Sequence, residues 1–142
     1  MHHVMIREKT AIGNHALIGN NTFIDRQEKI VYFGKIKSNY YIPTHVSVGN
    51  QVFLKPNVTL ANGRYTLKMR NRYVPDGQIL EDEVTLRAGV IDCPGVRIGW
   101  VAFVAAGAVV TNDLPPGTSV MGVPGRFGPL PKKFGGCNMV LS

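Results

Sequence analysis

The stretch LANGRYTLKMRNRYVPDGQIL, Leu60 to Leu80, holds the densest chemistry in the chain. Arg64, Lys68, Arg70 and Arg72 cluster there, with Tyr65 and Tyr73 among them. Guanidinium and ammonium groups suit phosphate oxygens, and a tyrosine ring can stack on a base or a sugar. The pattern fits a phosphate-bearing small molecule, although any one of these cations could equally do no more than solvate a loop. A net charge of +7 and a pI near 9.7 also favour an anionic partner. The remaining Lys and Arg are scattered and no nucleic-acid motif occurs, so no nucleic acid is expected as partner.

Other reactive side chains are few. The histidines are His2, His3, His15 and His45, and the cysteines are Cys93 and Cys137. Their spacing matches no metal or redox motif, so no metal is expected. Neither cysteine has a histidine within motif spacing, which leaves no persuasive nucleophile. Two free thiols fit a reducing cytoplasm. The longest apolar run, Trp100 to Val110, is too short and too rich in Ala and Gly to cross a bilayer. No charged-then-apolar leader opens the chain, so the expectation is a cytoplasmic protein with no membrane partner.

What positions these groups is a repeat. In steps of six the chain reads Ile6, Ile12, Ile18, Ile24, Ile30, Ile36, Ile42, Val48, Leu54 and Leu60, ten aliphatics in succession. The step is lost across Ala61 to Ile79 and resumes at Leu80, Leu86, Ile98, Val104 and Val110, with Asp92 the one failure. A helix repeats near 3.6 and a strand at 2, so a period of six requires short strands alternating with corners in a parallel β-helix. The fourth place after each aliphatic is often small or β-branched, as at Thr22, Val46, Val52, Val58, Val84, Val90, Ala102 and Ala108. Gly13, Gly19, Gly49 and Gly99 directly follow the aliphatic, where a tight corner is expected to need positive φ. The period does not fix the hand, and ordinary parallel crossovers are right-handed.

Each coil completes its neighbour's core, so the inward column should be continuous. Asp92 breaks the pattern, because a lone buried carboxylate is costly. Ile91 is therefore expected to take the inner place through a local slip. From Ile24 to Tyr41 the corners lack glycine except Gly34, which leaves the regularity of that coil open. Coils are expected over about 6–60 and 80–115, with a projecting loop over 61–79 extruded from about Thr66 to Gly77, and a C-terminal tail over 116–142. At 142 residues the chain fits a single domain.

KPNVTLANGRY (Lys55 to Tyr65) and VTLRAGVIDCPGVRIGWVAFVAAGAVVTNDLPPGTSVMGVPGR (Val84 to Arg126) resemble the left-handed β-helix acyltransferases of the hexapeptide-repeat superfamily. The likeness covers about Ile12 to Arg126 and looks most like the branch that N-acetylates amino sugars on nucleotide diphosphates. It implies an all-β, left-handed parallel β-helix, a homotrimer, and acetyl-CoA lying between adjacent subunits. It implies that Asn62, shortly after P-N-V-T and before the loop, contacts the amine to be acylated. It implies that Ala106 offers backbone groups to the pantetheine arm, with Ala88 equivalent one coil earlier. Arg126, closing G-V-P-G-R, would lie near the CoA phosphates, and Lys132 and Lys133 are weaker candidates. Relatives usually read G-x-P-A-[RK], and Gly125 in place of that Ala is expected to loosen the tail.

Chemistry separates the acceptors. A hydroxyl keeps its proton at neutral pH and generally needs a base, whereas an amine need only bind unprotonated. The O-acetylating branches place a histidine soon after N-V-T, and no histidine follows His45. His15 and His45 each fall third after an inward aliphatic and should point outward. His45 lies close to one turn before Asn62 and is the candidate base if there is one. The expected function is therefore direct transfer from acetyl-CoA to a sugar amine without an acyl-enzyme. Arg64, Tyr65 and Tyr73 would bind the substrate. The alternatives are an O-acetyltransferase, a metal hydratase needing three imidazoles, and a non-catalytic prism.

Overall fold

The computed structural model of the chain describes residues 2–26, 29–30, 33–64 and 76–134. Each sixth-place aliphatic ends a short strand, and successive strands fall on three faces in turn. Partners in neighbouring coils stand eighteen positions apart, as Ile12 with Ile30 and Ile18 with Ile36, so three hexads complete one coil. About six coils stack into a left-handed parallel β-helix, opposite in hand to ordinary parallel crossovers.

The first face carries Met5–Ile6, Thr22–Ile24, Tyr40–Ile42, Thr59–Leu60, Ile91–Asp92 and Val109–Val110. The second carries Ala11–Ile12, Lys29–Ile30, Ser47–Val48, Ile79–Leu80 and Arg97–Ile98 as one five-stranded sheet. The third runs from Leu17–Ile18 through Lys35–Ile36, Phe53–Leu54, Thr85–Leu86 and Phe103–Val104 to Thr118–Met121. Arg126–Pro129 then returns antiparallel on that last strand. The ladder thus continues past the expected limit near 115, because Val120 stacks on Val104 and is fully buried.

Alternation along each strand sends the aliphatic inward and its predecessor outward. Ile24, Ile42, Leu54, Leu86, Ile98 and Val104 have no exposed surface, and each such burial is worth roughly 1.5–3 kcal/mol before chain ordering is set against it. Ile6 and Ile12, in the first described coil, remain 44% and 37% exposed. Ile30 and Ile36 are buried and in register with Ile12, Val48, Ile18 and Leu54. The described strands between Ile24 and Tyr41 therefore keep the register of the repeat.

One corner expectation is corrected. Positive φ falls on the third place after the aliphatic, as at Asn39, His45, Asn57, Gly89 and Gly107, and not on the glycines directly after it. Gly19, Gly49 and Gly99 serve close approach instead. A Cβ on Gly19 would lie 2.5 Å from the Lys37 carbonyl carbon, and one on Gly99 would lie 2.5 Å from the Pro116 nitrogen. Stacking at the strand spacing leaves these sites no room for a side chain.

The slip at Asp92 does not occur. Asp92 points inward with no exposed surface, in register between Leu60 and Val110, while Ile91 faces outward and is 42% exposed. Backbone pairing on both sides holds the register, since a one-residue slip would misplace every neighbouring side chain. Burial pushes the Asp92 carboxyl up to about 8, and repulsion from Asp113 adds to the shift.

The loop is also narrower at its base than expected. Val48 pairs with Leu80, thirty-two positions on rather than eighteen. Asp76 and Gly77 belong to the ladder, because Gly95 N–H donates to the Asp76 carbonyl and a Cβ on Gly77 would meet the His45 carbonyl carbon at 2.2 Å.

Candidate active site

The first face is bordered by two corners of different construction. One lies between the first and second faces and carries His45, Asn62 and Arg64. The Asn62 side-chain amide donates to the Thr44 hydroxyl at 3.1 Å and to the Thr44 carbonyl at 3.4 Å, one coil below. His45 follows Thr44, so this contact brings His45 and Asn62 to the same corner; His45 is exposed, as is His15. The Asn62 carbonyl accepts from the Asp76 N–H at 3.0 Å, which joins the two stems of the loop. Arg64 donates to the Asp76 carboxylate at 3.2 Å and to the Pro94 carbonyl at 3.4 Å. That ion pair is exposed and contributes little to stability.

Beneath this corner the core is polar. Gln78 is completely buried, and its amide nitrogen donates to the carbonyls of Ala61, Asp92 and Cys93. It therefore ties the loop stem to the coil above. Thr44, Asp76 and Gln78 were not among the residues singled out from the sequence. A signal existed for two of them. Thr44 stands eighteen places before Asn62, and Gln78 stands two before Leu80, where Val46 and Val96 occupy the same column.

The other corner, between the third and first faces, carries Ala88 and Ala106. Its working groups are backbone. Gly107 N–H donates to the Ala88 carbonyl at 3.0 Å, and among the described residues nothing pairs with the Ala88 N–H. Ala106 is exposed, and among the described residues nothing pairs with its N–H or carbonyl. The hairpin before Arg126 packs on this corner. Val109 N–H donates to the Gly122 carbonyl at 3.1 Å, and Gly125 N–H donates to the Val109 carbonyl at 2.8 Å. A Cβ at Gly125 would stand 2.8 Å from that carbonyl and 2.6 Å from Val120, so glycine here fastens the tail and does not loosen it. Arg126 and Lys132 are exposed, Lys132 in a short 3-10 turn over Lys132–Phe134. Tyr65 and Tyr73 lie outside the described residues.

Within one chain these corners do not meet. Six residues of coil run from Ala88 to Pro94 across the first face, a span of up to roughly 20 Å at about 3.3 Å per residue. The outward row between them is Met5, Phe23, Tyr41, Thr59, Ile91 and Val109, with no charged side chain, whereas Arg97 and Lys35 stand in the outer rows of the other faces. Among the described residues, no three His, Cys, Asp or Glu side chains gather where a metal could bind. No helix among them is long and apolar enough to cross a membrane.

Known proteins share this architecture. No family profile matches the chain. It is 36% identical over 99 residues to a Schizosaccharomyces pombe protein whose name describes an acetyltransferase, covering 67% of this chain and 48% of that one. It is 35% identical over 122 residues to the galactoside O-acetyltransferase of Lactococcus lactis, covering 75% of this chain and 59% of that one. Over 48 residues it is 50% identical to a Staphylococcus aureus 2,3,4,5-tetrahydropyridine-2,6-dicarboxylate N-acetyltransferase, covering 34% of this chain and 20% of that one. The chain spans about half the length of the first two of these relatives. Among solved structures, a galactoside acetyltransferase in complex with coenzyme A superposes with a TM-score of 0.73 at 23% identity, covering 88% of this chain and 66% of that one. A hexapeptide-repeat acetyltransferase of Vibrio cholerae, complexed with acetyl coenzyme A, gives 0.53 at 25% identity, covering 92% of this chain and 65% of that one. With the hexad columns and the stacked coils, these similarities identify the chain as a member of the hexapeptide-repeat acyltransferase superfamily.

Proposed function

We propose that the chain transfers an acetyl group from acetyl-CoA to the amine of a nucleotide-linked amino sugar, as a cytoplasmic homotrimer with its sites between subunits. The observation that carries this reading is the division of labour between the two corners. One presents a pinned Asn62 at the stem of the insertion, and the other presents the backbone of Ala106, unpaired among the described residues. A peptide-like pantetheine arm pairs with backbone whatever side chain stands there, which suits Ala106 and the N–H of Ala88. Arg126 and Lys132 would meet the CoA phosphates. Arg64, Tyr65 and Tyr73 would meet the nucleotide sugar.

Because the corners border opposite edges of one face, a complete site requires the Asn62 corner of one copy against the Ala106 corner of the next. The uncharged outer row of the first face supports association along it, since large exposed apolar stripes mark interaction surfaces. A head-to-tail contact of this kind closes into a ring when its rotation allows.

In the reaction, Asn62 orients a neutral amine whose nitrogen lone pair attacks the thioester carbonyl carbon. The Ala106 N–H donates to the carbonyl oxygen as negative charge grows there. The C–S bond breaks, the CoA sulfur leaves as thiolate, and the amine proton passes to it. No base is required of the protein, which agrees with a chain that has no histidine beyond His45.

A second reading is favoured by one observation: His45 shares the corner with Asn62, and one relative is named for galactoside O-acetylation. There His45 would take the proton of a sugar hydroxyl. A panel of nucleotide-linked amino sugars and simple galactosides, scored by CoA thiol release, separates the two. Release with amine-bearing sugars that survives His45→Ala supports amine transfer. Release only with hydroxyl acceptors, abolished by His45→Ala, would replace it.

A further inference from the structure

We propose that Thr44 is a positioning residue that holds the Asn62 amide in one orientation, so that Asn62 meets the acceptor through its carbonyl oxygen alone. This rests on the reading of Asn62 as the acceptor-facing residue. The geometry decides which end of the amide turns inward. The Thr44 carbonyl can only accept a hydrogen bond, so the group 3.4 Å from it must be the Asn62 nitrogen, and the Thr44 hydroxyl accepts from the same nitrogen at 3.1 Å. The amide oxygen is left facing away, and none of the described residues donates to it.

The frame around this pair is fixed. The Asn62 carbonyl is held by Asp76 N–H, the Ala61 carbonyl by the buried Gln78 amide, and the coil carrying Thr44 by the close seat of Gly77 on His45. Asn62 can neither turn its nitrogen outward without breaking both bonds to Thr44 nor move as a loop tip would.

A presented carbonyl oxygen selects by polarity. It accepts an N–H of a neutral amine, which fixes that nitrogen and leaves its lone pair free to attack. It cannot donate, so Asn62 does not stabilise the oxyanion, and that task falls to another group such as the Ala106 N–H. Thr44 thereby sets turnover without touching the substrate.

The test uses Thr44→Val, which keeps the shape and removes the hydroxyl, and Thr44→Ser, which keeps the hydroxyl. With acetyl-CoA and dTDP-4-amino-4,6-dideoxyglucose as amine probe, T44V is expected to lower kcat about tenfold, the scale of one lost hydrogen bond. KM for acetyl-CoA and the unfolding midpoint should stay unchanged, and T44S should retain turnover. In parallel, the Asn62 side-chain amide signals in a 15N NMR spectrum, identified by their loss in Asn62→Ala, should exchange slowly in the native chain and in T44S, and faster in T44V. Wild-type turnover in T44V beside an inactive N62A would overturn the proposal, as would unchanged amide exchange in T44V. Turnover that survives N62A would instead sink the reading of Asn62, while the amide exchange still decides whether Thr44 holds it.

Discussion

The two corners that border the first face are made of different material. At one, the side chains of Asn62 and Thr44 pair, those of Arg64 and Asp76 pair, and Gln78 holds the Ala61 carbonyl, around the stems of a long insertion. At the other, Ala88, Gly89, Ala106 and Gly107 offer almost nothing but main chain. Their support differs too. The first stands over a buried Gln78 and Asp92, with Gln78 Oε1 and both Asp92 carboxyl oxygens lacking a hydrogen-bond partner among the described residues, and the second over Val90, Ala108 and other fully buried apolar groups. A side-chain corner can discriminate among acceptors by polarity, and its buried polar groups lower stability. A backbone corner recognises an amide-bearing arm at little such cost, because every coil supplies the same groups.

If that contrast holds, substitutions at the two corners should separate cleanly. Asn62→Ala should lower turnover on the order of 10²-fold, as loss of orientation does, with acetyl-CoA affinity unchanged by calorimetry. Equal loss of cofactor affinity would merge the two corners into one site.

Asp92→Val should stabilise the chain by roughly 2 kcal/mol or more in denaturant unfolding near neutral pH, since it removes an uncompensated buried carboxyl. The effect should depend on pH. With its folded value raised to about 8, Asp92 binds its proton more tightly folded than unfolded. The native chain should therefore lose stability as pH rises from the ordinary aspartate range through about 8, and D92V should show no such slope from this site. A slope unchanged by the substitution would mean that Asp92 finds a partner or a proton at no cost.

At the backbone corner, Ala106→Pro removes one N–H and should weaken acetyl-CoA binding about tenfold, the scale of a single hydrogen bond. Ala106→Ser, which leaves the main chain intact, should change affinity by less than about twofold. A serine as damaging as the proline would show that side-chain volume, and not backbone, governs that corner.

Much of this was written in the period of six. Ile24, Ile42, Leu54 and Leu86 are inward because the sequence places them so, and His15 and His45 are exposed for the same reason. The coil length of eighteen would also have set Thr44 beneath Asn62 and Gln78 in the column of Val46 and Val96, had the repeat been followed into its polar members. Asp92 departs from the expected slip for a physical reason. The cost of burying one carboxylate is a local argument, whereas the register of Ile91–Asp92 is held by strands on both sides, Thr59–Leu60 and Val109–Val110. The glycines depart from expectation in the same way. Positive φ is a property of one residue, but Gly19, Gly49 and Gly99 answer to backbone in the next coil.

By itself, then, the order of residues determined a stacked helix of short strands, the column that fills it, the place of its insertion and the kinship of its second half. Those features follow from a repeat in which each hexad carries its own instruction. Only the folded chain decided which loop residues close the stem, which end of the Asn62 amide is turned inward, and that Asp92 stays in the core. The stem and the place of Asp92 depend on contacts made across the insertion, where Leu60 pairs with Asp92 and counting in eighteens no longer gives the neighbour. The turn of the Asn62 amide depends on which of its atoms meets Thr44, which the spacing of eighteen does not state.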